Sequence, residues 1–145
     1  MSLANIFSIS GSAMSAQSIR LNTTASNMAN AQSISSSVED TYRARKPVFA
    51  VQEPTLDQLN SRQVGLLPGQ GVKVQGIVES IAPLQPEYLP SHPMADENGF
   101  IYYPNVNVVE EMADMISASR SFQINADVMD SAKKMMQRVL TLGQA

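Results

Sequence analysis

His92 is the only histidine in the chain, and Asp96 and Glu97 follow it within a few residues. An imidazole beside two carboxylates could hold a metal or move a proton. The spacing matches no ligand motif, however, and the surrounding HPMADENG (92–99) has the Pro, Asp, Asn and Gly of a solvated turn. Glu110, Glu111 and Asp114 form a second acidic cluster. Paired catalytic carboxylates need a pocket, and nothing nearby in the sequence supplies one. In the first turns of a helix the same carboxylates favour the positive end of its dipole. YRARK (42–46) is basic and holds an aromatic ring, but one short cluster in an acidic chain is weak grounds for nucleic acid or anionic lipid. A salt-bridged or subunit-facing patch is the better reading. Met112, Met115, Met129, Met135 and Met136 have no His or Cys beside them, so their thioethers read as adaptable packing rather than copper ligands. The sequence has no Gly-rich phosphate loop and no Ser–His–Asp signature. No catalytic residue, cofactor or metal is expected, and no enzyme.

The composition agrees. Of 145 residues, 43% are hydrophobic but only 6% aromatic, with nine Met and no Trp, so Ala, Ser and Met stand where a compact enzyme core would often place rings. A net charge of −3 gives no electrostatic reason to expect nucleic acid. The absence of Cys excludes disulfides and thiolate metal sites. No run approaches the ~20 apolar residues of a membrane span, and no membrane insertion is expected. MSLANIFSISGSAM lacks the basic and apolar regions of a secretory signal, so it reads as mature structure.

The elements that must position these residues fall into three parts. All eight Pro and five of the seven Gly lie between about 31 and 105, which leaves the two ends as helices. The expected fold is mainly α with a small β part. Residues 1–30 and 106–145 form long terminal helices paired as an antiparallel coiled coil, and 31–105 form a small β-rich domain with a long loop at 53–71. In the first helix Phe7, Met14, Leu21 and Met28 repeat every seven residues, and the small Ala4, Gly11, Ser18 and Ala25 stand three residues before them. Large and small residues on one seam let two helices approach closely. A second face holds Ile6, Ile9, Ala13 and Ala16, which implies more than one partner. In the last helix Met115, Phe122, Met129 and Met136 form the large series, Ser119 and Ala126 the small one, and Leu140 completes the expected packing set. At ~1.5 Å per residue these helices run ~40 and ~50 Å, too long for the core of so small a domain. In the middle, KPVFAV, GVKVQGIVES and GFIYYP read as strands, with HPMADENG as a turn.

ASNMANA (25–31) resembles the Asn-Ala signature near the start of flagellar rod and hook proteins, and NVNVVEEMADMISASRSFQINADVM (105–129) resembles their C-terminal signature. TYRARKPVF, GVKVQGIVES and YLPSHPMADENGFIYYPNV are similar to the proximal-rod branch of that family. AQSISSSVED stands where the broader family carries a Thr-Pro-Gly-Tyr-like ending, a departure that favours the same branch, and the loop at 53–71 matches no motif. The resemblance implies a non-enzymatic structural subunit of the bacterial flagellar basal body. Such subunits assemble helically into the periplasm-spanning rod that transmits motor torque and forms part of a hollow export conduit. It implies type III export without a cleaved signal. Implied neighbours are further copies of the chain, the proximal-rod proteins FlgB and FlgF, the distal-rod protein FlgG and the rod-base adaptor FliE.

LNTTASNMANAQ (21–32) has helical spacing but poor helix formers. Isolated helices are marginal, so the terminal helices are expected to order only when packed against neighbours. Asn27 and Asn30 are expected to bond close neighbouring backbones and to supply the left-handed residue that ends the first helix. The competing expectation is a soluble adaptor that recognises its partner through a two-helix coiled coil.

Overall fold

The computed structural model describes residues 3–53 and 71–142, and for Leu3 and Ala4 the backbone only. Most of the loop expected at 53–71 therefore lies outside the described residues. The elements run α1 (Leu3–Asn30), β1 (Arg45–Val51), β2 (Val72–Glu79), β3 (Gln85–Tyr88), β4 (Phe100–Tyr103) and α2 (Val108–Leu142). The two helices, of 28 and 35 residues, dominate the molecule.

The helices pack against each other antiparallel. Asn27, late in α1, bonds Glu111, early in α2. Gly11 faces the Met129 methyl, and Ile6 shares an apolar groove with Ala132 and Met135. Asn107 caps α2: its Oδ1 accepts the Val109 and Glu110 amides at 3.1 and 3.4 Å, satisfying donors that the first turn cannot. Glu110 and Glu111 follow in that turn, on the favourable end of the dipole. α1 ends differently from expectation. No non-glycine residue among those described has a positive φ, so neither Asn27 nor Asn30 takes a left-handed turn. The Asn30 carbonyl instead accepts both the amide and the hydroxyl of Ser33, while its side chain donates to the Ser26 carbonyl one turn back. A serine three residues on satisfies the open carbonyl, so no reversal of φ is needed.

Three of the four strands fall where short β-branched and aromatic runs predict them. β1 and β2 pair antiparallel, with Val48 opposite Gly76 and Phe49 opposite Val74, so Gln75 is an unopposed bulge residue. β4 pairs with β3, whose sequence QPEY is wholly exposed and carries a proline, so it gives no strand signal of its own. The two sheets are separate two-stranded ladders. Asn105 holds them together: its Oδ1 accepts the Ala44 amide at 2.8 Å and its Nδ2 donates to the Ala82 carbonyl at 2.8 Å. Ser35 adds a single bridge to Tyr102.

The β1–β2 ladder lies along α1. The Val72 amide donates to Ser12 Oγ at 3.1 Å, and the Arg20 guanidinium sits 4.7 Å from the centre of the Phe49 ring. Part of the second face of α1 is thus met by the chain's own strands. Among the described residues the buried apolar set is small: Ala16, Ala44, Ile101, Val106, Ala118 and Ala132. Alanines dominate it, and each methyl removes little surface from water.

Candidate functional site

The helix seam gathers much of the expected packing set and leaves part of it outside. On α1, Phe7, Met14, Leu21 and Met28 are half-buried, as is Gly11. Ser18 and Ala25 are exposed, and the side chain of Ala4 lies outside the described residues. Ser10 and Thr24, three residues after the large ones, are deeply buried, with half-buried Gln17 between them, and Ala16 and Thr23 are buried as well. α2 follows the same rule. Met115, Met129, Ser119 and Ala126 are half-buried, whereas Phe122, Met136 and Leu140 are exposed. The deepest residues are Glu111, Ala118 and Ala132, with half-buried Asn125 on the same seven-residue series. A large residue every seven positions fixes one seam line but not which neighbouring line is second. Here small residues flank the large series on both sides.

Asn27 is the most connected side chain of the seam. It is 1% exposed, and all its hydrogen-bonding capacity is used. Its Nδ2 donates to the Arg45 carbonyl at 2.8 Å and to Glu111 Oε1 at 3.0 Å. Its Oδ1 accepts the Arg45 amide at 2.9 Å and the Tyr42 hydroxyl at 2.9 Å. These partners lie within the same chain. Glu111, 3% exposed, is thus a buried acceptor as well as a first-turn carboxylate. Nothing in the local sequence distinguishes it from Glu110, which stays exposed and takes a 2.6 Å ion pair from Lys46. That hydrogen bond and the accompanying charge hold the Lys46 ammonium above its ordinary pKa and the Glu110 carboxyl below its own. Arg45 pairs with Glu79 at 3.0 Å and lies over the Tyr42 ring. The basic segment 42–46 is therefore tied to neighbouring elements through two acidic partners.

The residues that could have carried chemistry form a turn. His92 Nδ1 accepts the Met94 amide, and Asp96 Oδ1 accepts the amides of Asn98 and Phe100, both at 2.8 Å. The Phe100 amide is the chief reason the Asp96 carboxyl is held below its ordinary range. Among the described residues no cluster of His, Cys, Asp and Glu could hold a metal ion.

What the single chain leaves open is apolar. On α2, Val109, Met112, Ile116, Ile124, Val128, Met135, Val139 and Leu142 are exposed, two of them by three-quarters or more of their surface (Val109 75%, Leu142 78%). They recur every three or four residues, with Arg120 and Ser131 at the two intervening steps, and so mark one stripe along the helix. On α1 the exposed residues Ser8, Ser15, Ser18, Asn22, Ala25, Ser26 and Ala29 are all small and uncharged. A bulky apolar stripe on α2 and a row of small, uncharged residues on α1 are thus what the single chain leaves in solvent. Among the described residues no helix is long and apolar enough to cross a membrane.

Comparison with known proteins places the same regions. Residues 7–32 match the family model "Flagella basal body rod protein", and residues 97–142 match "Flagellar basal body rod FlgEFG protein C-terminal". Over 99% of its length the chain is 48% identical to the flagellar basal-body rod protein FlgC of Salmonella typhimurium, 46% to that of Escherichia coli O157:H7 and 34% to that of Buchnera aphidicola subsp. Baizongia pistaciae. In each case the alignment spans the whole relative.

Proposed function

Because the chain belongs to the FlgC family of flagellar basal-body rod proteins, we propose that its exposed helix faces build the wall of the proximal rod. The protein is a non-enzymatic structural subunit of that rod and serves motility. The whole-length match to FlgC carries the assignment. The distribution of apolar surface supports the finer reading: large side chains on α2 and small ones on α1 face outward and await other helices. Head-to-tail contacts that do not close into a ring generate a helical tube. In such a tube the terminal helices α1 and α2 resist shear as one unit and surround the export conduit. The 31–105 unit ties neighbours together farther out. The partners are further copies of this chain, FlgB, FlgF and FlgG, with FliE at the base.

Exposed Ala25 tests the close approach. Ala25→Leu is expected to leave a strain lacking the native copy poorly motile, with few complete rods in purified basal bodies. Normal motility would count against helices meeting on that face.

Assembly also orders the helices in this reading. The fully buried part of the seam inside one chain is alanines, serine and threonine, with an orphaned Gln17 side-chain oxygen, while its large residues stay half in solvent, so it stabilises the pair weakly. Circular dichroism of the dilute chain is expected to show less helix than the 28 and 35 residues of the packed form. Full helicity in dilute solution would overturn this.

A further inference from the structure

We infer that Asn27 is a polar joint through which the last turns of α1, the Tyr42–Arg45 segment and the first turn of α2 become ordered and disordered together. The three segments meet on one amide group. Two of its bonds go to the main chain of Arg45, one to the Tyr42 hydroxyl and one to Glu111. A carboxamide has two protons and two acceptor directions, and here none is spare. Asn27 and Glu111 are both nearly solvent-free, so water does not replace a partner that leaves. A buried polar group that loses one bond suffers the full cost of its desolvation, so a partly satisfied cluster is worse than none.

The surroundings give each segment little reason to persist alone. Around the joint α1 is made of Thr23, Thr24, Ser26 and Asn30, and Thr23 turns its hydroxyl back onto the Ile19 carbonyl. Arg45 is the first residue of β1, so the same bonds fix where the β1–β2 ladder begins along the helix. The exposed Lys46–Glu110 pair links β1 to α2 as well, but screened charge at half-exposed side chains holds them weakly. The consequence is directional: helices that settle against a neighbouring subunit also fix the pose of the β part. This last link rests on the ordering-on-assembly reading above, whereas the joint itself rests on the geometry.

Amide exchange in the full-length chain, read by NMR, tests it. In the native chain the amides of 24–30, Arg45 and Glu111 are expected to share one protection level. Glu111→Leu removes an acceptor without touching Arg45. It is expected to speed exchange at Arg45 and at 24–30 by roughly tenfold or more, with 100–103 unchanged. Glu111→Gln keeps an acceptor oxygen and is expected to exchange as the native chain does. Tyr42→Phe, a milder change for use if Glu111→Leu does not fold, is expected to speed exchange at the Glu111 amide. Native protection at Arg45 in Glu111→Leu, at Glu111 in Tyr42→Phe, or unrelated rates in the native chain would sink the joint. If all three segments are unprotected in the free chain, the same comparison is made on purified basal bodies. Protected helices in the free chain would end the ordering-on-assembly reading and leave the joint standing.

Discussion

At the scale of single residues, the bonds that matter most join positions far apart in sequence. Asn27 and Glu111 are separated by 84 residues. The sequence marks Asn27 as an odd choice inside a helix, but no local pattern names its partners. Asn107 is a contrast, because Asn with Glu three positions on, ahead of an apolar run, is a readable cap signal. The turn before β4 is equally local. Asp96 gathers the amides of Asn98 and Phe100, and Gly99 supplies the left-handed residue with φ +82°. A Cβ there would lie 2.9 Å from the Tyr88 ring. Gly99→Ala is therefore expected to destabilise the chain by about 1–3 kcal/mol, read as a lower urea midpoint. An unchanged midpoint would show that the turn relaxes freely.

At the scale of elements, length and breakers were enough to find the helices, and β-branching to find three strands. β3 was hidden because its exposed QPEY becomes a strand only through pairing with β4. The phase of the seam was hidden for another reason. Ser10 and Thr24 on one side of the large series, and Ser18 and Ala25 on the other, are equally small. Only packing chooses between them, and in the single chain it buries the first pair and leaves the second in solvent. This separates two kinds of substitution. Ala118 is fully buried (0%), so Ala118→Leu overpacks the chain itself and is expected to cost about 1–3 kcal/mol. Ala25→Leu adds bulk in solvent and is expected to leave the thermal midpoint of the isolated chain close to native. Equal losses from the two would mean that α1 meets the rest of the chain differently.

At the scale of the whole molecule, the usual arrangement of a small protein is inverted: four of the six buried apolar residues described are alanines, and many branched and thioether side chains are outside. The free subunit gains little from folding, and in the rod wall proposed above joining neighbours would remove the exposed apolar surface from water. That attraction is entropic near room temperature and weakens on cooling. Isolated rods held near freezing at low ionic strength should accordingly shed subunits faster than rods kept warm, the reverse of what cooling does to most preparations. Electron microscopy of rod lengths after matched storage would reveal it. An assembly drawn together by its outward-facing oil is, by the same physics, one that the cold undoes.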